Sequence, residues 1–153
     1  AIVATNLTGV IRCTQAVLPK MIARGDGCLV FISSVLGELP APNNAVYGAT
    51  KFAISGLAES LEYELAPRGI SVLLVEPGLV PTEFAQGSGT PLGKYNRLPH
   101  TTPKRVARRI VAAIVQGQRR LIPDRLAQIG ILWRRFSPRT WRVFYRNALK
   151  RVG

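Results

Sequence analysis

The chain has 153 residues and a formal net charge of +13, with 47% hydrophobic and 19% charged residues. This length is typical of one globular domain, and the composition excludes a chain that is disordered throughout. No apolar run reaches the roughly 20 residues of a membrane-spanning helix, and the first residues lack a secretory signal, so we expect a cytoplasmic protein.

The first predicted elements are a helix and a strand. Residues 6–24 have apolar side chains at helical spacing and are followed by Gly25, which predicts a helix that Pro19 kinks or ends early. Residues 28–32 (CLVFI) form a nearly continuous apolar run, which predicts a strand covered on both faces. The two cysteines, at positions 13 and 28, have no metal-binding or disulfide spacing, so we expect buried free thiols and no metal.

A second helix and a second strand follow. Residues 44–66 have an apolar stripe and end before Pro67 and Gly69, which predicts a long helix. Residues 70–75 (ISVLLV) are wholly apolar and predict another buried strand. A strand, a long helix and a strand in this order indicate a βαβ unit with parallel strands.

The rest of the chain reads as a long loop followed by helices. Residues 77–102 are rich in proline and glycine, and long loops of this kind are often functional. Thr102 and Pro103 begin a predicted helix over residues 103–116. A short strand over residues 120–123 comes next, and Asp124 then caps a helix that runs to about Phe136.

The C-terminal part is strongly basic. Residues 1–93 contain five basic and seven acidic residues, whereas residues 94–153 contain sixteen lysines and arginines against Asp124 alone. This excess indicates an anionic partner. Ser137 and Pro138 begin one more predicted helix, which carries an apolar stripe formed by Trp141, Phe144, Tyr145, Ala148, Leu149 and Val152.

Three interpretations of this basic tail stay open. It is a solvated face over a packed stripe, a surface that contacts an anionic membrane peripherally, or a nucleic-acid patch. Tryptophan and phenylalanine beside arginine suit a membrane interface, and we do not expect nucleic acid.

Polar residues lie where the first predicted strand ends and on the helix that follows it. Ser34 stands at the carboxyl end of the strand, where parallel sheets bind ligands. Tyr47 and Lys51 are four residues apart on the predicted helix, so they share one face. An ammonium group stabilises a phenolate and lowers the tyrosine pKa. The spacing therefore predicts that Lys51 prepares Tyr47 for proton exchange, while Ser34 donates a hydrogen bond to a substrate oxygen.

Several motifs together resemble the short-chain dehydrogenase/reductase family. Ser34, then Tyr47 thirteen residues later, then Lys51 match the family's catalytic residues in order. Asn6 in TNLTG resembles its catalytic asparagine, LPKM (Leu18 to Met21) its neighbouring helix, and PGLVPT (Pro77 to Thr82) its motif beside the nicotinamide.

The resemblance implies a role for each catalytic residue. Tyr47 is the general acid/base, and Ser34 orients and polarises the carbonyl or alcohol. Asn6 holds a proton-relay water. Lys51 lowers the pKa of Tyr47 and binds the nicotinamide ribose, so Tyr47 and Lys51 also belong to the cofactor site.

The resemblance also implies contacts to NAD or NADP after the second strand. Pro77 and Gly78 approach the nicotinamide closely, and Val80 and Thr82 lie near its carboxamide. Residues 83–102 would cover the substrate. A lipophilic substrate is indicated only by loop composition, at Leu79, Phe84, Leu92 and Leu98. His100 in this loop is not expected to be catalytic.

One part of the family pattern is absent from the sequence. The glycine-rich turn G-x-x-x-G-x-G does not occur, nor does the residue that selects NAD or NADP. The chain therefore resembles the C-terminal part of a longer enzyme, and we expect the 153 residues alone neither to bind dinucleotide tightly nor to turn over.

These observations predict an α/β fold, the C-terminal part of a Rossmann-type doubly wound parallel sheet with added C-terminal amphipathic helices. Residues 1–123 form the catalytic part and residues 124–153 a basic helical extension. The predicted function is NAD(P)-dependent oxidation or reduction of an alcohol or carbonyl. The alternative is a non-catalytic interaction or membrane-docking fragment. The resemblance also implies a homo-oligomer built through the helices of Asn6 and Tyr47.

Overall fold

The structure, a computed structural model, describes residues 1–80 and 101–152, with side chains as far as Ala148. Its strands are β1 (Gly27–Ile32), β2 (Ile70–Val75) and β3 (Arg120–Leu121). The helices are α1 (Gly9–Arg24), α2 (Ala45–Leu65), α3 (Pro103–Val115), α4 (Arg125–Phe136) and α5 (Pro138–Val152). A π-helical turn (Ala4–Thr8) precedes α1, and 3₁₀ turns cover Val35–Gly37 and Ala66–Arg68.

The three strands form one parallel sheet in the order β1-β2-β3. The register of β1 on β2 runs from Gly27 opposite Ile70 to Ile32 opposite Val75. Helix α2 makes the crossover between them, which confirms the predicted βαβ unit. Strand β2 is central and buried except at Ser71, as its wholly apolar sequence indicates.

Helices cover both faces of this sheet. On one face, α1 and α2 pack on Leu29, Phe31 and the β2 side chains of a single core cluster. On the other face, Ala113 of α3 packs with residues that include Leu73 and Val75 of β2. The predicted doubly wound α/β fold is therefore confirmed.

The local structure departs from the expectations at three places. Strand β1 is less completely covered than expected on its second face, where Val30 packs half-buried on the cluster of α3 and Ile32 is exposed. Pro19 does not end the first helix early, because that helix continues to Arg24, and the alternative of a kink at Pro19 stays a prediction. Cys13 is exposed and Cys28 is half-buried, so the thiols are not both in the core.

Two glycines with left-handed backbone close the turns that bring β1 and β2 side by side. Gly25 ends α1 with φ 69°, and Gly69 ends the turn after α2 with φ 73°. A Cβ at Gly69 would lie 2.4 Å from the Gly25 carbonyl oxygen. A side chain at Gly69 would be strained by the positive φ and would collide with the Gly25 carbonyl.

The C-terminal helices dock on the α/β layers. The Asp124 carboxylate caps α4 by accepting from the backbone N–H groups of Leu126 and Ala127. Arg134 of α4 donates to the Glu38 carbonyl, and Gly130 packs against the Trp141 ring of α5. The division of the chain at residue 123 stays a prediction.

Among the described residues, none of the helices combines the length and hydropathy that a bilayer crossing requires.

Candidate active site

The ends of β1 and β2 are tied together by backbone hydrogen bonds. Ser33 N–H donates to the Val75 carbonyl at 2.8 Å, and Val35 N–H donates to the Pro77 carbonyl at 3.0 Å. Ser34, between these two links, is buried and begins the 3₁₀ turn by accepting from the Leu36 N–H at 3.2 Å. Its hydroxyl is therefore fixed at the carboxyl edge of the sheet, where ligands of this fold bind.

Tyr47 and Lys51 lie on the first turns of α2 and face this edge. The Tyr47 hydroxyl is hydrogen-bonded to the Ser34 side chain. The Lys51 ammonium donates to the Ile32 carbonyl at 2.9 Å and lies 5.5 Å from the centre of the Tyr47 ring. The structure thus brings together the three residues that the sequence singles out. Their catalytic roles stay predictions.

The protonation of this pair differs from the expectation. Burial raises the pKa of Tyr47 above its ordinary value of 10.0, and the hydrogen bond from Ser34 opposes that rise. Burial also lowers the pKa of Lys51. The predicted lowering of the Tyr47 pKa by Lys51 is not found in this arrangement, because the ammonium is directed at the Ile32 carbonyl and desolvation of the phenolate dominates.

Asn6 lies in the π-helical turn that precedes α1. Such turns insert a residue into a helix and are frequent at functional sites. The turn packs against α2, which carries Tyr47 and Lys51. The Asn6 Nδ2 is buried and has no hydrogen-bond partner among the described residues. A buried amide donor in this state is costly, which makes it a candidate for binding a further polar group.

The residues predicted to approach a cofactor follow β2. Pro77, Gly78 and Val80 are half-buried. Gly78 packs closely on Asp124, since a Cβ there would lie 3.1 Å from the carboxylate. The described residues do not include 81–100. Thr82 and most of the covering loop predicted over 83–102 therefore lie outside them, with the loop positions Phe84, Leu92, Leu98 and His100.

A buried polar network beside the site was not predicted. Glu76, at the end of β2, is fully buried and accepts from Arg120 Nε at 2.7 Å. Arg120 also bonds the Glu38 carboxylate at 2.7 Å. Ser55 of α2 bonds the other Glu76 oxygen at 3.4 Å and Ser33 at 3.0 Å.

Through Ser33, the network also reaches helix α2 at Lys51. The Ser33 hydroxyl donates to the Lys51 carbonyl at 2.9 Å. Burial raises the pKa of Glu76, and the bond and charge of Arg120 oppose that rise. A carboxylate directly after the apolar run ISVLLV is the signal that could have drawn attention to Glu76. Its partner Arg120 follows 44 residues later, which no local pattern indicates.

Gly37 permits the close packing of the 3₁₀ turn on this network. A Cβ at Gly37 would lie 2.7 Å from the Ser33 hydroxyl, 2.8 Å from the Ser55 hydroxyl and 3.0 Å from the Lys51 carbonyl oxygen. The position therefore has no room for a larger residue. It holds the serine turn against the helix that carries Tyr47 and Lys51.

The sequence and the fold match known proteins. Residues 1–92 match the family model for short chain dehydrogenases. The chain is 34% identical over 144 residues to a dehydrogenase/reductase SDR family protein 7-like of Drosophila melanogaster, covering 90% of this chain and 44% of that protein. It is 31% identical to dehydrogenase/reductase SDR family member 7B of Danio rerio, covering 99% and 52%.

Solved structures show the same likeness. A short-chain dehydrogenase from Streptomyces avermitilis superposes with a TM-score of 0.73 at 30% identity, covering 95% of this chain and 59% of that one. A short-chain dehydrogenase from Sphingobium yanoikuyae in complex with NADPH gives 0.74 at 25% identity, covering 97% and 54%. The chain thus spans about half the length of the curated relatives it matches.

Proposed function

The chain belongs to the short-chain dehydrogenase family, and we propose that its residues serve an NAD(P)-dependent oxidoreductase that acts on an alcohol or carbonyl group. The observation that carries this proposal is the hydrogen-bonded pair of Ser34 and Tyr47 hydroxyls, with the Lys51 ammonium beside the Tyr47 ring, at the carboxyl edge of a parallel sheet. Family membership supports the reaction class, and the substrate remains a proposal.

The described residues fit a nicotinamide cofactor. An ammonium group carries three protons, and Lys51 directs one of them to the Ile32 carbonyl, so further donors suit ribose hydroxyls. Pro77 and Gly78 stand where β2 ends, in the position that the family uses for the nicotinamide. The similar short-chain dehydrogenase from Sphingobium yanoikuyae, solved in complex with NADPH, supports a dinucleotide, and the choice between NAD and NADP stays open.

When bound, the nicotinamide supplies or accepts the hydride. Ser34 donates a hydrogen bond to the substrate oxygen, which gains negative charge as the carbonyl carbon is reduced. Tyr47 gives its hydroxyl proton to that oxygen, so the product is an alcohol. In the reverse direction Tyr47 takes the proton back. The raised pKa keeps the phenol protonated at neutral pH, which suits carbonyl reduction.

Asn6 supports the passage of this proton. Its buried Nδ2 needs an acceptor, and a water held there would satisfy it. Because the π-helical turn of Asn6 packs on α2, that water would lie near the helix of Tyr47 and Lys51. We assign Asn6 to the proton relay on this basis.

Two finer parts of the proposal concern partners. Half-buried Leu79, within the motif PGLVPT, supports a lipophilic substrate. Exposed apolar residues on the helices of Asn6 and Tyr47, among them Val17 on α1 and Val46 on α2, support a homo-oligomer built through these helices.

The test is turnover by the protein encoded by the complete reading frame. It should consume reduced nicotinamide cofactor with a panel of aldehydes and ketones, and Ser34→Ala should lower kcat by about 10² to 10³ because one donor to the developing oxyanion is lost. Ser71→Ala, which removes an exposed hydroxyl from β2, is the control and should leave kcat unchanged.

The isolated chain provides a second comparison. We expect the 153 residues alone not to bind either dinucleotide tightly, because no glycine-rich turn is present in them. Absence of turnover by the complete reading frame with every carbonyl tested would instead favour a non-catalytic interaction or membrane-docking protein that retains these residues.

A further inference from the structure

Helix α4 presents a row of apolar side chains to solvent. We name the exposed residues Leu126, Ile129, Leu132 and Phe136 the apolar ridge, and each of them is between 52% and 81% exposed. Their spacing places them on one side of the helix. The opposite side is the one that packs on the protein, where Gly130 and Ile131 are buried. The ridge is therefore a surplus apolar surface and no part of the core.

Aromatic rings extend this surface onto α5. Trp133, beside the ridge, packs its ring 4.7 Å from that of Phe144 and 5.7 Å from that of Trp141. Phe144 is itself exposed. Tryptophan and phenylalanine are the side chains that amphipathic helices place at the boundary between lipid headgroups and acyl chains.

Arginines surround the apolar surface. Arg125 and Arg135 on α4 are exposed, and so are Arg139, Arg142 and Arg146 on α5. None of these five forms an ion pair within the part of the chain that the structure describes. Their charge is therefore available to a partner.

A cationic groove adjoins these helices. It has a volume of about 720 Å³ and is lined by Arg134, Arg135, Arg142 and Arg146 together with the rings of Trp141 and Tyr145. Glu38 also lines the groove, and its carboxylate is paired with Arg120. Ile131 lines the groove too, which places the groove on the side of α4 away from the apolar ridge, and the docking surface proposed below does not include it.

We propose that α4 and α5 dock the protein on the surface of an anionic membrane, with the apolar ridge at the acyl boundary and the arginines among the headgroups. A second copy of this chain would bring arginines against arginines on a molecule of net charge +13. Nucleic acid would use the arginines and leave the apolar ridge in water. Anionic lipid is the partner that matches both features. This inference does not depend on the proposed reaction.

The test is co-sedimentation of the 153-residue chain with vesicles. The chain should sediment with phosphatidylcholine vesicles that contain phosphatidylserine, and much less with phosphatidylcholine alone or at high salt. The ridge variant Ile129→Gln with Phe136→Gln should weaken binding about tenfold, because two anchors are lost. The matched control is Val111→Gln with Val115→Gln, which changes two exposed residues of α3 and should bind like the parent chain.

A double substitution of arginines provides a second test. It decides whether the proposal holds if circular dichroism shows that the ridge variant does not fold. Arg125→Gln with Arg135→Gln should weaken vesicle binding about tenfold or more, and Arg105→Gln with Arg108→Gln on α3 should do so less. Three results would overturn the proposal. They are no binding to anionic vesicles, equal losses in ridge and control variants, and a lipid-independent dimer that the ridge variant abolishes.

Discussion

The site region and the C-terminal helices use charge in opposite ways. Glu76 beside the site is fully buried, and every polar group of its network has a named partner. The arginines of α4 and α5 are mostly exposed, and within the described residues they form no ion pairs. Paired buried charge fixes the position of neighbouring groups, whereas unpaired exposed charge is available for binding. The comparison separates a region that holds a site in place from one that meets a partner.

The largest expected effect on stability comes from substituting one of two neighbouring arginines, of which one belongs to the buried network and the other is exposed. Arg120→Ala leaves the buried Glu76 carboxylate without its guanidinium partner, and we expect a loss of about 3 kcal/mol in the free energy of unfolding. Arg119→Ala removes an exposed guanidinium from its pair with half-buried Glu62 and should cost at most about 1 kcal/mol. Urea denaturation of the 153-residue chain measures both, and equal losses would contradict the assignment of a buried network.

The pH dependence of the Arg120→Ala variant sharpens the same prediction. Burial raises the pKa of Glu76 above 4.5, so its proton is held more tightly in the folded chain than in the unfolded one. Stability from this group is present at low pH and is lost as the pH rises through the folded pKa. Without Arg120 the pKa rises further, so the cost of the substitution should be largest at neutral pH and should shrink in acid. A cost independent of pH would speak against this origin.

A smaller effect is expected where the serine turn packs on α2. Gly37→Ala would place a methyl group within 3.0 Å of the Ser33 and Ser55 hydroxyls, and we expect a loss of about 2 kcal/mol from overpacking. Gly56→Ala, on the exposed side of the same helix, meets no atom within 4 Å and should stabilise the chain by up to about 1 kcal/mol. Thermal unfolding of both variants tests whether space at Gly37 is limiting. A Gly37→Ala variant with the same stability as the parent would show that it is not.

Local patterns were sufficient for most of the fold. Apolar runs and capping residues predicted both ends of β2 and α2 to within one residue, because the pattern of each element lies within a continuous stretch of sequence. The first helix was predicted to begin three residues before α1, because its pattern does not show the π-helical turn over Ala4–Thr8. The spacing of Tyr47 and Lys51 likewise predicted a shared face. These features depend on neighbours a few residues away.

Long-range electrostatics and burial were beyond the same reasoning. The Glu76–Arg120 pair joins residues 44 positions apart, and the direction of the Tyr47 pKa depends on how deeply α2 buries the ring. The spacing of Tyr47 and Lys51 predicted that an ammonium lies near a phenol. Whether the charge of the ammonium or the desolvation of the phenolate determines the Tyr47 pKa depends on the direction of the Lys51 side chain, which donates to the Ile32 carbonyl.

The most direct measurement is the effect of Tyr47→Phe on carbonyl reduction by the protein encoded by the complete reading frame. Loss of the proton donor should lower kcat by about 10² to 10⁴, while Tyr63→Phe on the exposed side of α2 should leave it unchanged. Since burial raises the Tyr47 pKa, the rate of carbonyl reduction by the parent should stay level through neutral pH and fall only in strongly alkaline solution. A Tyr47→Phe variant that reduces its substrate as fast as the parent would contradict the assignment of Tyr47 as the proton donor.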